Sequence, residues 1–184
     1  MSVLIYAESE NGKFKKIALE VASYAKEIAS QMGTTVAAVT FNTDDVSALG
    51  TYGVDKVLTV SDDKLSAFNA KLYASAIQQA AEKESASVIV LSSSANAKYP
   101  APLLVVGTNG GYASNVVALP EGTEPFKVKR TAFTNKAFMI SQIDAETKII
   151  GLANNAFGLK ENSASATVEP FRLPYPNPDL ILYR

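Results

Sequence analysis

The sequence predicts an α/β protein with a Rossmann-like, mostly parallel sheet that has helices on both faces. Up to residue 111, short apolar runs alternate with amphipathic segments, which is typical of strand–helix–strand units joined by right-handed crossovers. The apolar runs are continuous, as in strands that are buried on both sides. From residue 112 onwards, strand-like runs are separated by turn residues alone, which predicts antiparallel strands that extend or flank the sheet.

The opening of the chain is predicted to form a strand, a helix and a second strand. The apolar run VLIYAE at 3–8 and the β-branched run TVAAVTFN at 35–42 are the two strands. The segment between them has apolar residues at spacings of three and four, which predicts one packed helical face, and Gly33 stands at the expected C-cap. The residues of that face are Ile17, Val21, Tyr24 and Ile28.

The next part of the chain repeats this alternation. KVLTVSD at 56–62 and SVIVLSSS at 87–94 are predicted strands, and the second is the most hydrophobic of the chain. Between them lies a second amphipathic helix, whose packed face is predicted to consist of Phe68, Leu72, Ala76 and Ala80. The segment after residue 94 predicts a helix with prolines in its first turn, where a missing N–H is harmless.

Turn residues divide the second half into several predicted strands. These runs lie at 112–119, 126–133, 136–143 and 148–153, with a possible further strand at 166–173. Prolines at 170, 174, 176 and 178 then predict an exposed linker. We therefore expect a Rossmann-like domain at 1–169, followed at 170–184 by a proline-rich linker towards a further domain.

The composition excludes several classes of function. The chain has 184 residues, of which 47% are hydrophobic, enough for one sizeable core. Its net charge of −1 does not favour nucleic acid or an acidic membrane surface as a partner. Cysteine and histidine are both absent, which excludes thiol nucleophiles, Ser/His/Asp triads and the common zinc sites. Any chemistry would have to use carboxylates, lysine, tyrosine or a bound cofactor. We find no catalytic constellation of such residues and no metal site in the sequence, and we expect a protein that is not an enzyme.

The start of the chain predicts a soluble, cytoplasmic protein. MSVLIYAESENGKF has neither the basic region nor the long apolar region of a signal peptide. No run in the sequence approaches the roughly 20 apolar residues of a membrane span, so membrane insertion is not expected.

The serine-rich turn after the predicted strand at 87–94 is the candidate binding site. Four polar residues lie between the end of that strand and the next helix, where exposed N–H groups favour an anion such as a nucleotide phosphate. They are Ser92, Ser93, Ser94 and Asn96. No glycine occurs between Ser92 and Lys98, so neither GxGxxG nor the P-loop pattern is present. The alternative is that Ser94 or Asn96 only caps the helix.

Two other charged features are interpreted structurally. Glu8 follows the first strand and would repel a phosphate, so it is predicted to be a solvated loop carboxylate. KVKR at 127–130 places Lys127 and Lys129 on one face of a strand, with Val128 and Arg130 on the other. We interpret this cluster as a solvated sheet edge, with Arg130 as a fork that could hold a carboxylate.

Several blocks, in order and from about residue 2 to residue 169, resemble the amino-terminal domain of the electron transfer flavoprotein alpha subunit. The blocks are VLIYAESENGKFKKIALEVASYA, LGTYGVDKVL, VIVLSSSANAKYPAPLL, GGYASNVVAL and RTAFTNKAFMISQ. The resemblance implies a fold of the adenine nucleotide alpha-hydrolase type, related to universal stress proteins. It also implies that a carboxy-terminal domain of the alpha subunit holds FAD and that a beta subunit, commonly carrying AMP, completes a heterodimer.

In such an assembly the resemblance implies a soluble electron carrier. It would accept electrons from dehydrogenases, such as the acyl-CoA dehydrogenases of fatty-acid oxidation, and pass them to the respiratory chain. The family's FAD-binding segment leads to a Gln-His pair, and this chain has no histidine, so no FAD-binding residue is assigned to any of its positions. Two alternatives remain: a stand-alone adenine-nucleotide-binding module of the universal-stress-protein type, and an adenine-nucleotide alpha-hydrolase.

Overall fold

Twelve strands and five helices form the α/β fold in the computed structural model, which describes residues 1–162 and 164–174. The strands are β1 (Ser2–Tyr6), β2 (Ser9–Glu10), β3 (Lys13–Phe14), β4 (Val36–Phe41), β5 (Lys56–Val60), β6 (Ala86–Ser92), β7 (Gly111–Val116), β8 (Gly122–Thr123), β9 (Phe126–Ala132), β10 (Ala137–Gln142), β11 (Lys148–Leu152) and β12 (Thr167–Pro170). The helices are α1 (Lys16–Met32), α2 (Ser47–Thr51), α3 (Ala70–Lys83), α4 (Ala95–Lys98) and α5 (Pro100–Thr108).

The main sheet has the strand order β10-β9-β7-β11-β6-β1-β4-β5-β12, and β8 pairs with β9. From β7 to β12 along this order the neighbouring strands are parallel, whereas β8, β9 and β10 are joined by antiparallel pairs. The strands β2 and β3 form a separate antiparallel hairpin. The predicted mostly parallel α/β fold is therefore confirmed.

The central strands are buried on both faces. In β1, Val3 and Ile5 pack into one core with α1 and α2, while Leu4 and Tyr6 pack into a second core with α3, α4 and α5. This alternation explains why the strand is apolar at every position. The predicted helix appears as α1 and ends at Gly33, whose φ of 63° is a left-handed C-cap conformation.

Two expectations about the elements are wrong. The strands β7 and β11 are parallel members of the main sheet, and β11 inserts between β6 and β7. The KIIGL run of β11 is apolar at nearly every position because a strand inside the sheet is buried on both faces. Phe68 does not belong to the packed face of α3, because Asn69 caps that helix by accepting hydrogen bonds from the N–H groups of Lys71 and Leu72 at 3.0 and 3.2 Å.

The possible strand at 166–173 is found as β12, which pairs with the edge of β5. Two ion pairs stabilise this strand, because carboxylate oxygens of Glu169 lie 2.7 Å from Lys56 Nζ and 2.9 Å from Lys83 Nζ. Lys56 Nζ also lies 2.8 Å from a carboxylate oxygen of Glu84. These lysines hold the pKa of the Glu169 carboxyl at about 2. From residue 175 onwards the predicted linker lies outside the described residues.

Candidate functional site

The carboxyl ends of β1 and β6 meet where the order of strand connections reverses, the position at which open α/β sheets bind ligands. Glu8 lies at this point and is only 3% exposed. Its Oε1 atom accepts hydrogen bonds from the hydroxyls of both Ser92 and Ser94, the latter at 2.7 Å. The serine-rich turn therefore binds a carboxylate of its own chain.

The prediction that Glu8 is a solvated loop carboxylate is wrong. After β1 the chain turns back through the β2–β3 hairpin, and the Lys15 N–H donates to the carbonyl oxygen of Glu8 at 3.0 Å. Ser9 fixes the same turn, because its hydroxyl donates to the carbonyl oxygen of Phe41 at 3.0 Å. The side chain of Glu8 thus lies over the carboxyl ends of the central strands and not in solvent. The two serine hydroxyls compensate for the burial of its charge.

Two tyrosines lie on the α3 side of this crevice. The rings of Tyr6 and Tyr73 meet edge to face, with centroids 5.9 Å apart. Burial raises the pKa of the Tyr6 phenol well above its usual value, and Tyr73 and the Glu8 carboxylate raise it further. Burial also raises the pKa of Tyr73, with Glu8 again contributing. Both phenols therefore remain protonated near neutral pH and are poorly suited to act as general bases.

The residues of the serine-rich turn differ from one another in their contacts. The hydroxyl of Ser94 accepts a hydrogen bond from the Ala97 N–H at 3.1 Å, so Ser94 caps α4, as the capping alternative expects. Ser93 donates its N–H to the carbonyl oxygen of Leu152 at 2.8 Å. Asn96 is exposed and lies beyond the cap. Nucleotide or anion binding by Ser92, Ser93, Ser94 and Asn96 stays a prediction.

A second carboxylate holds the loop after β11. Glu20 of α1 is 2% exposed and accepts hydrogen bonds from three backbone N–H groups of that loop. The donors are Asn155 at 3.0 Å, Phe157 at 2.8 Å and Gly158 at 2.9 Å. Successive N–H groups of this kind make an anion-binding concavity. Glu20 was not predicted from the sequence, although a charged residue within the packed face of a helix is the signal that could have found it.

Beside these carboxylates lies an open cleft of about 710 Å³. Its floor is formed by residues at or after the carboxyl ends of β6, β7 and β11, including Ser93, Asn115 and Asn154, and Lys129 and Phe138 line it from β9 and β10. The ammonium of Lys129 lies 4.6 Å from the centroid of the Phe138 ring.

The KVKR cluster is not a sheet edge. It lies in β9, between β7 and the edge strand β10. The two-face pattern is nevertheless correct, because Val128 is fully buried and Lys127 and Lys129 are half-buried. Arg130 donates hydrogen bonds to the hydroxyls of Ser141 at 2.9 Å and Ser114 at 3.3 Å, rather than to a carboxylate.

Residues 1–162 and 164–174, which the structure describes, lack the features of a metal site and of a membrane-spanning helix. Within these ranges, no three His, Cys, Asp or Glu side chains converge in a way that could hold a metal ion. None of the helices in the same ranges combines the length and the apolar character that a membrane crossing requires.

Comparison with known proteins identifies the relatives of the chain. The family model described as "Electron transfer flavoprotein domain" matches residues 3–175. An electron transfer flavoprotein subunit alpha of Thermoanaerobacterium thermosaccharolyticum is 33% identical over 91 residues, which is 48% of this chain and 28% of that protein. One from Clostridium acetobutylicum is 35% identical over 78 residues, or 41% of this chain and 23% of that protein. The aligned stretches thus span about a quarter of each relative.

Proposed function

This chain belongs to the electron transfer flavoprotein domain family, and on that basis we propose that it is the amino-terminal scaffold domain of an electron transfer flavoprotein alpha subunit. Residues 1–169 are the domain, and residues 170–184 lead towards an FAD-binding domain. The scaffold docks a beta subunit, which carries AMP. The resulting soluble, cytoplasmic heterodimer accepts electrons from dehydrogenases such as acyl-CoA dehydrogenases and passes them to the respiratory chain.

The observation that carries the scaffold role is the placement of Glu8. Its carboxylate fills the strand-end position where a nucleotide phosphate would lie, and it uses the hydroxyls of Ser92 and Ser94. Glu20 fills the N–H concavity after β11 in the same way. A dinucleotide would have to displace both charges, so these two cradles do not fit FAD, and we assign no electron-transfer step to the described residues.

Reconstitution tests the proposal. The chain is mixed with the cognate beta subunit and with a separately produced FAD-binding domain of the alpha subunit, and the mixture is analysed by size-exclusion chromatography at flavin wavelengths. We expect the three polypeptides to elute together with flavin absorbance. Elution of this chain in its own peak, while the other two polypeptides associate, would contradict the scaffold role.

A stand-alone adenine-nucleotide-binding module is the second candidate, and the cleft beside Ser93 is the observation that favours it. Lys129 would supply the positive charge for a phosphate there. Calorimetric titration of the chain with AMP and ATP separates the two functions, because the scaffold role predicts no binding. For the module, Lys129→Gln should abolish the binding heat, whereas Lys71→Gln on the distant helix α3 should leave it unchanged.

A further inference from the structure

The β9–β10 hairpin presents an apolar strand at one edge of the sheet. Within the described residues, β10 pairs only with β9, so the outer side of its backbone has no strand partner. Three consecutive apolar side chains of β10 are exposed: Phe138 (63%), Met139 and Ile140. Adjacent residues of a strand point to opposite faces, so both faces of this edge are uncovered. Such an edge is a template for another strand.

The tip of the hairpin is exposed and strained. Phe133 is 81% exposed, and Phe133, Thr134 and Asn135 all have positive φ angles, of 49°, 54° and 62°. This conformation is costly for residues with a side chain, and above all for a β-branched threonine. Strain of this kind concentrates at binding sites and switch regions.

The charge of the hairpin indicates what could cover it. Residues 126–142 contain Lys127, Lys129, Arg130 and Lys136 but no Asp or Glu, although the whole chain has a net charge of −1. No ion pair joins any of these four cations to a carboxylate in the described part of the chain. In the register of the hairpin, Lys129 lies opposite Ile140 and Lys127 opposite Gln142, so the cations flank exposed apolar side chains on one face.

From these observations we infer that the β9–β10 hairpin is a protein-docking surface that receives a strand flanked by acidic side chains. The inferred partner strand extends the sheet along β10, covers Phe138 and Ile140, and places carboxylates against Lys127 and Lys129. This inference rests on the proposed function in one respect, namely that the strand belongs to the beta subunit.

Other occupants fit the hairpin less well. A second copy of the chain would bring two groups of four cations together, and like charges across paired strands repel. The hydrocarbon core of a membrane cannot supply hydrogen bonds to the free backbone groups of β10, so the exposed apolar side chains of this strand could not insert there without leaving those groups unpaired. A single-stranded nucleic acid is held mainly through its phosphates, and the net charge of −1 of the whole chain does not favour it.

Hydrogen–deuterium exchange of the whole chain, with and without the cognate beta subunit, tests this inference. We expect the amides of residues 137–142 to become protected in the complex, while those of 167–170 on the opposite edge of the sheet exchange as before. Protection elsewhere in a complex that does form would overturn the docking surface and leave the scaffold proposal intact. Absence of any complex would overturn both.

Charge reversal provides a second test by calorimetry. Lys127→Glu combined with Lys129→Glu should weaken binding of the beta subunit by about tenfold or more. The matched control, Lys13→Glu with Lys71→Glu, makes the same change in net charge at exposed lysines outside the hairpin and should bind like the wild type. Equal affinity of the two double variants would overturn the inference. So would protection of 137–142 by anionic phospholipid vesicles, by oligothymidylate or by self-association instead of by the beta subunit.

Discussion

Replacing Glu20 with alanine should destabilise the fold more than any surface substitution on α1. The substitution removes the acceptor of three backbone N–H groups, at 3.0, 2.8 and 2.9 Å. An unsatisfied buried donor costs about 1–3 kcal/mol. Asn155 and Gly158 are exposed, so water replaces part of the lost interaction at these two positions. We therefore expect a net loss of about 2–4 kcal/mol in the free energy of unfolding.

Urea denaturation, followed by circular dichroism, measures this loss. Glu27→Ala on the same helix is the matched control, because it removes only a surface ion pair with Lys160 at 3.4 Å and should cost less than about 1 kcal/mol. Glu20→Gln keeps one acceptor oxygen and should fall between the two. If Glu20→Ala were no less stable than Glu27→Ala, the loop after β11 would not depend on this carboxylate.

Three further predictions concern the edges of the sheet. Because the pKa of Glu169 is lowered from 4.5 to about 2, its contribution to stability is complete above about pH 4.5 and disappears as the pH falls towards 2. The protection factors of the β12 amides, which are corrected for intrinsic exchange rates, should therefore fall over that interval, and Glu169→Gln should abolish this pH dependence. A Cβ at Gly50 would lie 2.6 Å from the backbone nitrogen of Ala166, so Gly50→Ala should lower the free energy of unfolding by about 1–3 kcal/mol in urea, and an unchanged value would contradict this packing. Thr134→Gly should raise the melting temperature, because relief of the left-handed strain at φ 54° is worth about 1 kcal/mol, and a lower melting temperature would show that the turn is not strained.

Local patterns predicted most elements of the fold. The helix α1 was found from the spacing of its apolar residues and from Gly33, and β1, β4, β5 and β6 from continuous apolar runs. The position of β11 was not found, because its insertion between β6 and β7 depends on pairing partners that lie far away in sequence. A continuous apolar run indicates burial but not the neighbouring strand.

The candidate site was predicted only where its residues give a local signal, and not where its contacts join distant parts of the sequence. The serine-rich turn was found, since a polar run after a buried strand is a local signal, and Ser94 does cap α4. The environment of Glu8 was predicted wrongly, because the hydroxyls that compensate its burial come from residues 84 and 86 positions away in the chain. The charge of Glu8 alone therefore gives no indication of those donors.

As proposed above, this chain is a scaffold that docks a partner and binds no nucleotide at its own strand ends. The most direct test is a calorimetric titration of the purified chain, first with AMP and then with the cognate beta subunit. We expect no heat of binding for AMP and saturable one-to-one binding of the beta subunit. Saturable binding of AMP together with no binding of the beta subunit would contradict the scaffold role, and would favour a stand-alone nucleotide-binding module.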